Sequence, residues 1–166
     1  MPTAYYLISS YVQDKGGLNL VIDFKGGSAS PAPGTLLVTN QPTGSESQLW
    51  TIVPDGASGY SFIQSKVKDP KGNHLVIDIE GNVNTPDAPL DGFTRKSKGY
   101  DNQLWKFVAE ALVPGYSFIE SKLKDPKGNP LVIDIKGASN KLGTPLDAYT
   151  QKSTGYDNQL WQLVPD

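Results

Sequence analysis

Gln48-Leu49-Trp50, Gln103-Leu104-Trp105 and Gln159-Leu160-Trp161 are three appearances of one tripeptide, and they contain every tryptophan of the chain. The interval from Trp50 to Trp105 and that from Trp105 to Trp161 differ by a single position. A second marker keeps step: Val-Ile-Asp ends at Asp23, Asp78 and Asp134, each at the same fixed interval before its tryptophan. Working outward, Gly59-Tyr60-Ser61-Phe62-Ile63, Asp69-Pro70-Lys71-Gly72-Asn73 and Leu75-Val76-Ile77-Asp78-Ile79 return almost letter for letter between Gly115 and Ile135. The first copy is looser, with Tyr5-Tyr6-Leu7-Ile8, Asp14-Lys15-Gly16-Gly17 and Leu20-Val21-Ile22-Asp23-Phe24. Three copies, about 1–55, 56–111 and 112–166, fill a single domain.

Each copy offers four short apolar stretches. In the third they are Tyr116–Ser121, Leu131–Ile135, Pro145–Tyr149 and Gln159–Val164. Rich in β-branched and aromatic residues and bounded by Gly, Pro, Asn and Asp, they read as strands and turns. Asp-Pro-Lys-Gly-Asn is a turn in which proline presets one backbone angle and glycine accepts a positive one. Nothing shows a sustained helical period with caps. The expectation is all-β, with twelve strands. A propeller usually needs at least four blades, and a solenoid needs distinctive capping repeats. Three four-stranded units closing on a threefold axis make a β-trefoil, a six-stranded barrel capped by three hairpins. Closure also removes the exposed edges of an open array. Trp50, Trp105 and Trp161, together with Leu49, Leu104 and Leu160, are expected to fill the barrel, and Gln48, Gln103 and Gln159 to brace the loop of each copy.

At 166 residues the chain can bury a substantial core, and 37% apolar with 19% charged residues is neither a disordered nor a membrane composition. No apolar run approaches the ~20 residues of a spanning helix, so no membrane insertion is expected. With no cysteine, disulfides, thiolate metal sites and cysteine nucleophiles are excluded. The net charge of −2 argues against nucleic acid as a partner. The lysines near Lys66 and Lys122 are interrupted by Asp69 and Asp125 and read as solvated turns. The N-terminal stretch shows neither a basic segment nor a long apolar one, which leads to the expectation of a cytoplasmic protein, with leaderless release left open as an alternative.

The residues resemble the ricin-type β-trefoil lectins, the Gln-x-Trp family, over essentially the whole chain. Three in-phase Gln-x-Trp units, each preceded by an aspartate at a fixed distance, carry the resemblance. It implies a shallow sugar pocket in each copy: an aspartate accepting from two hydroxyls, an aromatic ring stacked on the sugar, and an asparagine beside the glutamine. Carried over, these are Asp78, Phe93 and Asn102 in copy two, and Asp134, Tyr149 and Asn158 in copy three, at +15 and +24 from the aspartate in both. Where the family often has a polar amide, this chain has Asp91 and Asp147, read as adding acceptor capacity but no donor. Copy one is expected to be degenerate: Asp23 is present, but Val38 replaces the aromatic ring and Ser47 the asparagine. The resemblance further implies galactose-type or N-acetylgalactosamine-type ends as ligands.

The residue types suit the task. A sugar's hydroxyls need directional acceptors, and its C–H face needs a flat apolar partner. A small wet pocket of this kind implies a Kd on the order of 10⁻⁴–10⁻³ M per site, with multivalency supplying useful strength, which a homodimer would favour. Tyr100 and Tyr156, two residues before the asparagines, read equally as pocket walls or as covers for the tryptophan edge. The lone His74 sits in a turn, and no nucleophile elbow, phosphate loop or paired metal-binding histidines occur. Asp78 with Asp91 could mimic a glycosidase pair, but nothing in the sequence points to a raised acid. No enzyme, metal or cofactor is expected. The competing readings are a protease inhibitor, which needs one long unrepeated loop, and a protein-binding scaffold without sugar activity.

Overall fold

The computed structural model describes residues 3–166, the side chain of Ala57 excepted. Copy one contributes β1 (Tyr6–Gln13), β2 (Asn19–Phe24), β3 (Thr35–Asn40) and β4 (Leu49–Pro54). Copy two contributes β5 (Ser61–Lys68), β6 (His74–Ile79), β7 (Ala88–Thr94) and β8 (Trp105–Ala109). Copy three contributes β9 (Ser117–Lys124), β10 (Pro130–Ile135), β11 (Leu146–Thr150) and β12 (Trp161–Pro165). The helical content among these residues is single 3₁₀ turns, one of which ends on the glutamine of each Gln-Leu-Trp: Glu46–Gln48, Asp101–Gln103 and Asp157–Gln159.

The pairings close on themselves. β1 pairs with β4, β4 with β5, β5 with β8, β8 with β9, β9 with β12, and β12 returns to β1, all antiparallel. The remaining strands form the hairpins β2–β3, β6–β7 and β10–β11. These meet through β3–β7, β7–β11 and a bridge between Val38 and Pro145. The first strand of each copy runs longer than its apolar pattern suggests, because a register shift lets it bend from one pairing into the next, as between Glu120 and Lys124.

The three tryptophans are fully buried in one central cluster with Ile22, Ile77, Ile133 and the other inward strand residues. Each indole Nε1 donates to the carbonyl of the residue just before the marker aspartate: Ile22 at 3.3 Å, and Ile77 and Ile133 at 2.9 Å. A buried indole must place its one donor, and here it pins the strand that carries the site. The leucines do not join the tryptophans. Leu104 lies with Phe62 and Val76, and Leu160 with Phe118 and Val132, in two satellite clusters. Adjacent strand residues point to opposite faces, so a tryptophan turned inward forces its leucine outward. Tyr100 and Tyr156 cover these satellites, their rings 5.4 Å from Phe62 and 5.3 Å from Phe118. They are neither pocket walls nor tryptophan covers.

The Asp-Pro-Lys-Gly-Asn turn forms as its residues require. Asp69 Oδ1 accepts from the backbone N–H of Lys71 and Asn73 at 2.9 and 2.8 Å, and Gly72 takes φ +83°. Asp125 repeats this at Lys127 and Asn129.

Candidate functional site

The site in copy two is built on the β6–β7 hairpin. Asp78 and Asp91 are directly paired across it, so their side chains project from one face side by side. Both line a cavity of about 330 Å³ with Phe93, Lys96, Glu80, Gly81 and Asn82, and Gly34 from copy one reaches its edge. Copy three repeats the plan. Asp134 and Asp147 are paired across β10–β11 and share a cavity of about 230 Å³ with Tyr149, Lys152, Gly137 and Ala138, while Asp87 comes from copy two. Each cavity therefore lies at a seam between copies. The mouth is shaped by two consecutive left-handed residues, Gly81-Asn82 and Gly137-Ala138, a conformation that costs Ala138 more than the others.

Behind each acid stands the glutamine of the repeat. Gln103 Nε2 donates to Asp78 Oδ2 at 2.8 Å and to the Thr94 carbonyl at 3.1 Å, and its Oε1 accepts from the Lys96 backbone N–H at 3.0 Å. Gln159 makes the same three bonds to Asp134, Thr150 and Lys152. The glutamine thus ties the acid to the loop that follows β7 or β11, the bracing role expected of it.

That loop carries a residue the sequence reading missed. Lys96 Nζ lies 3.0 Å from Asn102 Oδ1, 3.4 Å from Asp78 Oδ2 and 5.8 Å from the Phe93 ring centre. Lys152 stands likewise at 3.0, 3.8 and 5.8 Å from Asn158, Asp134 and Tyr149. The signal was present: the interval from Asp78 to Lys96 equals that from Asp134 to Lys152, and Gln41 stands at the matching place in copy one.

The asparagines do not line the cavities. Asn102 and Asn158 are buried, with Nδ2 donating to the carbonyls of Ile79 and Ile135 and Oδ1 taken by the lysine. A direct sugar contact needs a free polar edge at the surface. Here the amide instead holds the lysine head over the acid. Phe93 is 37% exposed and Tyr149 half-buried, and each offers its ring to the cavity.

Electrostatics distinguish the two acids of each pair. Burial pushes Asp78 and Asp134 above the ordinary carboxylate range, and the glutamine and lysine partners pull them back. Asp91 and Asp147 lack such partners and are pushed up to about 7, first by burial and then by the neighbouring Asp78 or Asp134. Their cross-strand neighbours on the other side, Leu36 and Pro89, offer no polar relief. The fully buried Oδ1 of each has no hydrogen-bond partner. Two expectations change here. A raised acid is present although no sequence feature announced it, and a carboxyl near pH 7 supplies a donor as well as an acceptor.

Copy one differs throughout. Asp23 is buried and both its oxygens are used: Oδ1 accepts from Ser47 Oγ at 2.7 Å, and Oδ2 from Gln48 Nε2 and Asn40 Nδ2, each at 3.0 Å. Val38 is buried in the bridge to Pro145, and Leu36 stands where the other copies have the second acid. Among the described residues no group of three or more His, Asp or Glu side chains is placed to hold a metal ion.

No family model matches the sequence, and no curated protein sequence matches it. Solved structures do resemble the fold. A designed threefold-symmetric protein, ThreeFoil, superposes with a TM-score of 0.74 at 24% identity, covering 96% of this chain and 97% of its own. The C-half of an earthworm R-type lectin, solved in complex with GalNAc, gives 0.65 at 21%, covering 99% and 100%. An exo-β-1,3-galactanase from Clostridium thermocellum gives 0.75 at 27%; all of this chain matches only 31% of that enzyme. The chain is all-β and similar in fold to β-trefoil designs and lectins.

Proposed function

We propose that this chain is a β-trefoil lectin that binds neutral sugar ends, of galactose or N-acetylgalactosamine type, in copies two and three. The closed circuit of first and fourth strands would be the six-stranded barrel, and the three hairpins its cap, in one domain of three repeats. The observation that carries the reading is the meeting of Asp78, Asp91, Phe93 and Lys96 in one cavity, and of Asp134, Asp147, Tyr149 and Lys152 in the other. Each set joins charged hydrogen-bonding groups to a ring face, as an amphipathic ring ligand requires.

Binding fits better than hydrolysis. Asp78 and Asp91 stand side by side on one hairpin face, as paired neighbours, whereas glycoside cleavage needs carboxyls flanking the scissile bond. The second-to-third strand connections, 25–34, 80–87 and 136–145, are of similar length in all copies, so no single projecting loop supports the protease-inhibitor reading.

A glycan array with the intact protein and with Asp78→Asn plus Asp134→Asn tests the reading. Loss of signal in the double variant, with an unchanged circular dichroism spectrum, is expected. Undiminished binding would reject these two sites, and silence of the intact protein on the array would reject the lectin.

A further inference from the structure

The paired acids pose a problem for the proposed site. A sugar settling on Asp78 and Asp91 removes water from two carboxyls that are already buried and adjacent, Asp91 being 3% exposed. Two full negative charges beneath one ligand repel each other in a medium of reduced dielectric. The other charges facing Asp91 are Glu80, which adds to the repulsion, and Lys96, which is engaged by Asp78 and Asn102. On β3 the neighbour is Leu36, which carries no charge. Asp147 faces Asp134 and Asp87 as acids, and Lys136 and Lys152 as bases. Lys96 and Lys152 lie with the first acid of each pair, and Lys136 eases Asp147 only as the smallest of the influences on it. The buried Oδ1 of the second acid is left with no partner in both copies. A lone buried carboxylate oxygen without a donor is costly, whereas a protonated carboxyl beside a carboxylate has a natural acceptor.

We propose, resting on the lectin reading, that each acid pair binds sugar as a single-proton unit: Asp91 and Asp147 keep their proton beneath the sugar, and its loss releases the ligand. In that state one carboxylate, held by glutamine and lysine, accepts from the sugar hydroxyls, and its neighbour is a neutral acid. The pair then carries one charge, which Lys96 or Lys152 balances. Burial and the adjacent acid hold Asp91 and Asp147 at about 7 in the free protein. A sugar that excludes more water raises them further, so sugar binding takes up a proton above that pH and affinity falls as pH rises. The ligand class selected is a neutral sugar, because the lysine already balances the pair's single charge and a carboxylated or sulfated sugar would add a negative charge beside Glu80 or Asp87.

Two measurements on the full chain test this. Carboxyl ¹³C shifts of the sugar-free protein should show Asp91 and Asp147 titrating near pH 7. Binding to N-acetylgalactosamine and to a glycan array, run at pH 5.5 and 8.5, should weaken about tenfold at the higher pH. Asp91→Asn plus Asp147→Asn should abolish that slope. Midpoints near 4 would overturn the proposal whatever the sugar result. Midpoints near 7 with equal binding at both pH values would overturn it while leaving the lectin standing. Midpoints near 7 with no glycan bound at either pH would remove the lectin reading and this inference with it.

Discussion

The ring of Phe24 occupies the space that a side chain at position 92 would need: a Cβ on Gly92 would lie 2.1 Å from Phe24 Cε1 and 2.7 Å from Cζ. Phe24 belongs to copy one and is stacked on Trp50 with ring centres 5.4 Å apart; Gly92 belongs to copy two and sits between Asp91 and Phe93. In the other copies Ile79 and Ile135 stand where copy one has Phe24, and Leu37 and Ala148 where copy two has Gly92. A large residue in one copy is matched by the smallest in the next. Gly92→Ala should therefore destabilise by about 2–3 kcal/mol through overpacking, and should disturb the copy-two cavity. Adding Phe24→Ile should recover most of that loss, which a denaturant double-mutant cycle would read as a strong coupling.

Gln103 serves acid and loop together. Gln103→Ala would strip Asp78 Oδ2 of its amide donor and leave the Lys96 N–H without its acceptor. A cost of about 1–3 kcal/mol in urea unfolding is expected. Calorimetric stoichiometry for sugar should drop to the copy-three site alone.

A ring in copy one should not create a third site. Val38→Phe supplies the aromatic face, but Asp23 already accepts three side-chain hydrogen bonds, and Leu36 and Gln41 replace the second acid and the lysine. The number of sugars bound per chain, measured by titration, should stay as in the unaltered protein.

Stability should fall with rising pH because of the second acids. Their ordinary value is 3.8, and in the folded chain they stand at about 7, so the folded form holds more protons than the unfolded form between those values. This contribution favours folding most below pH ~4 and is lost progressively up to about 7. Asp91→Asn and Asp147→Asn should each stabilise at pH 8, on the order of 1 kcal/mol after allowance for solvent screening, and have little effect near pH 4. Asp14, Asp69 and Asp125 act in the opposite sense. Hydrogen bonds, led by those from Gln41, Asn73 and Asn129, hold them below the ordinary value, so what they contribute is present above pH ~4 and lost on acidification. Thermal melts across pH 3–9 check both trends.

Repetition alone determined the copy number, the strand-rich class and the burial of Trp50, Trp105 and Trp161, because period and turn chemistry are local properties; the choice of Asp78 and Asp134 came from the resemblance to the Gln-x-Trp lectins. The departure of copy one from that pattern could be read at Val38 and Ser47, although the three hydrogen bonds that occupy Asp23 could not. Only the tertiary structure decided which side of a strand each neighbour faces, and so sent Leu104 and Leu160 away from the tryptophans and Asn102 and Asn158 behind the cavity wall. It also placed Lys96 and Lys152 over the acids, and brought Gly34 and Asp87 across from neighbouring copies. The raised acidity of Asp91 and Asp147 belongs to the same class. It arises from burial and from a carboxyl on another strand, remote along the chain but adjacent across a hairpin, and such proximity exists only once the strands have paired.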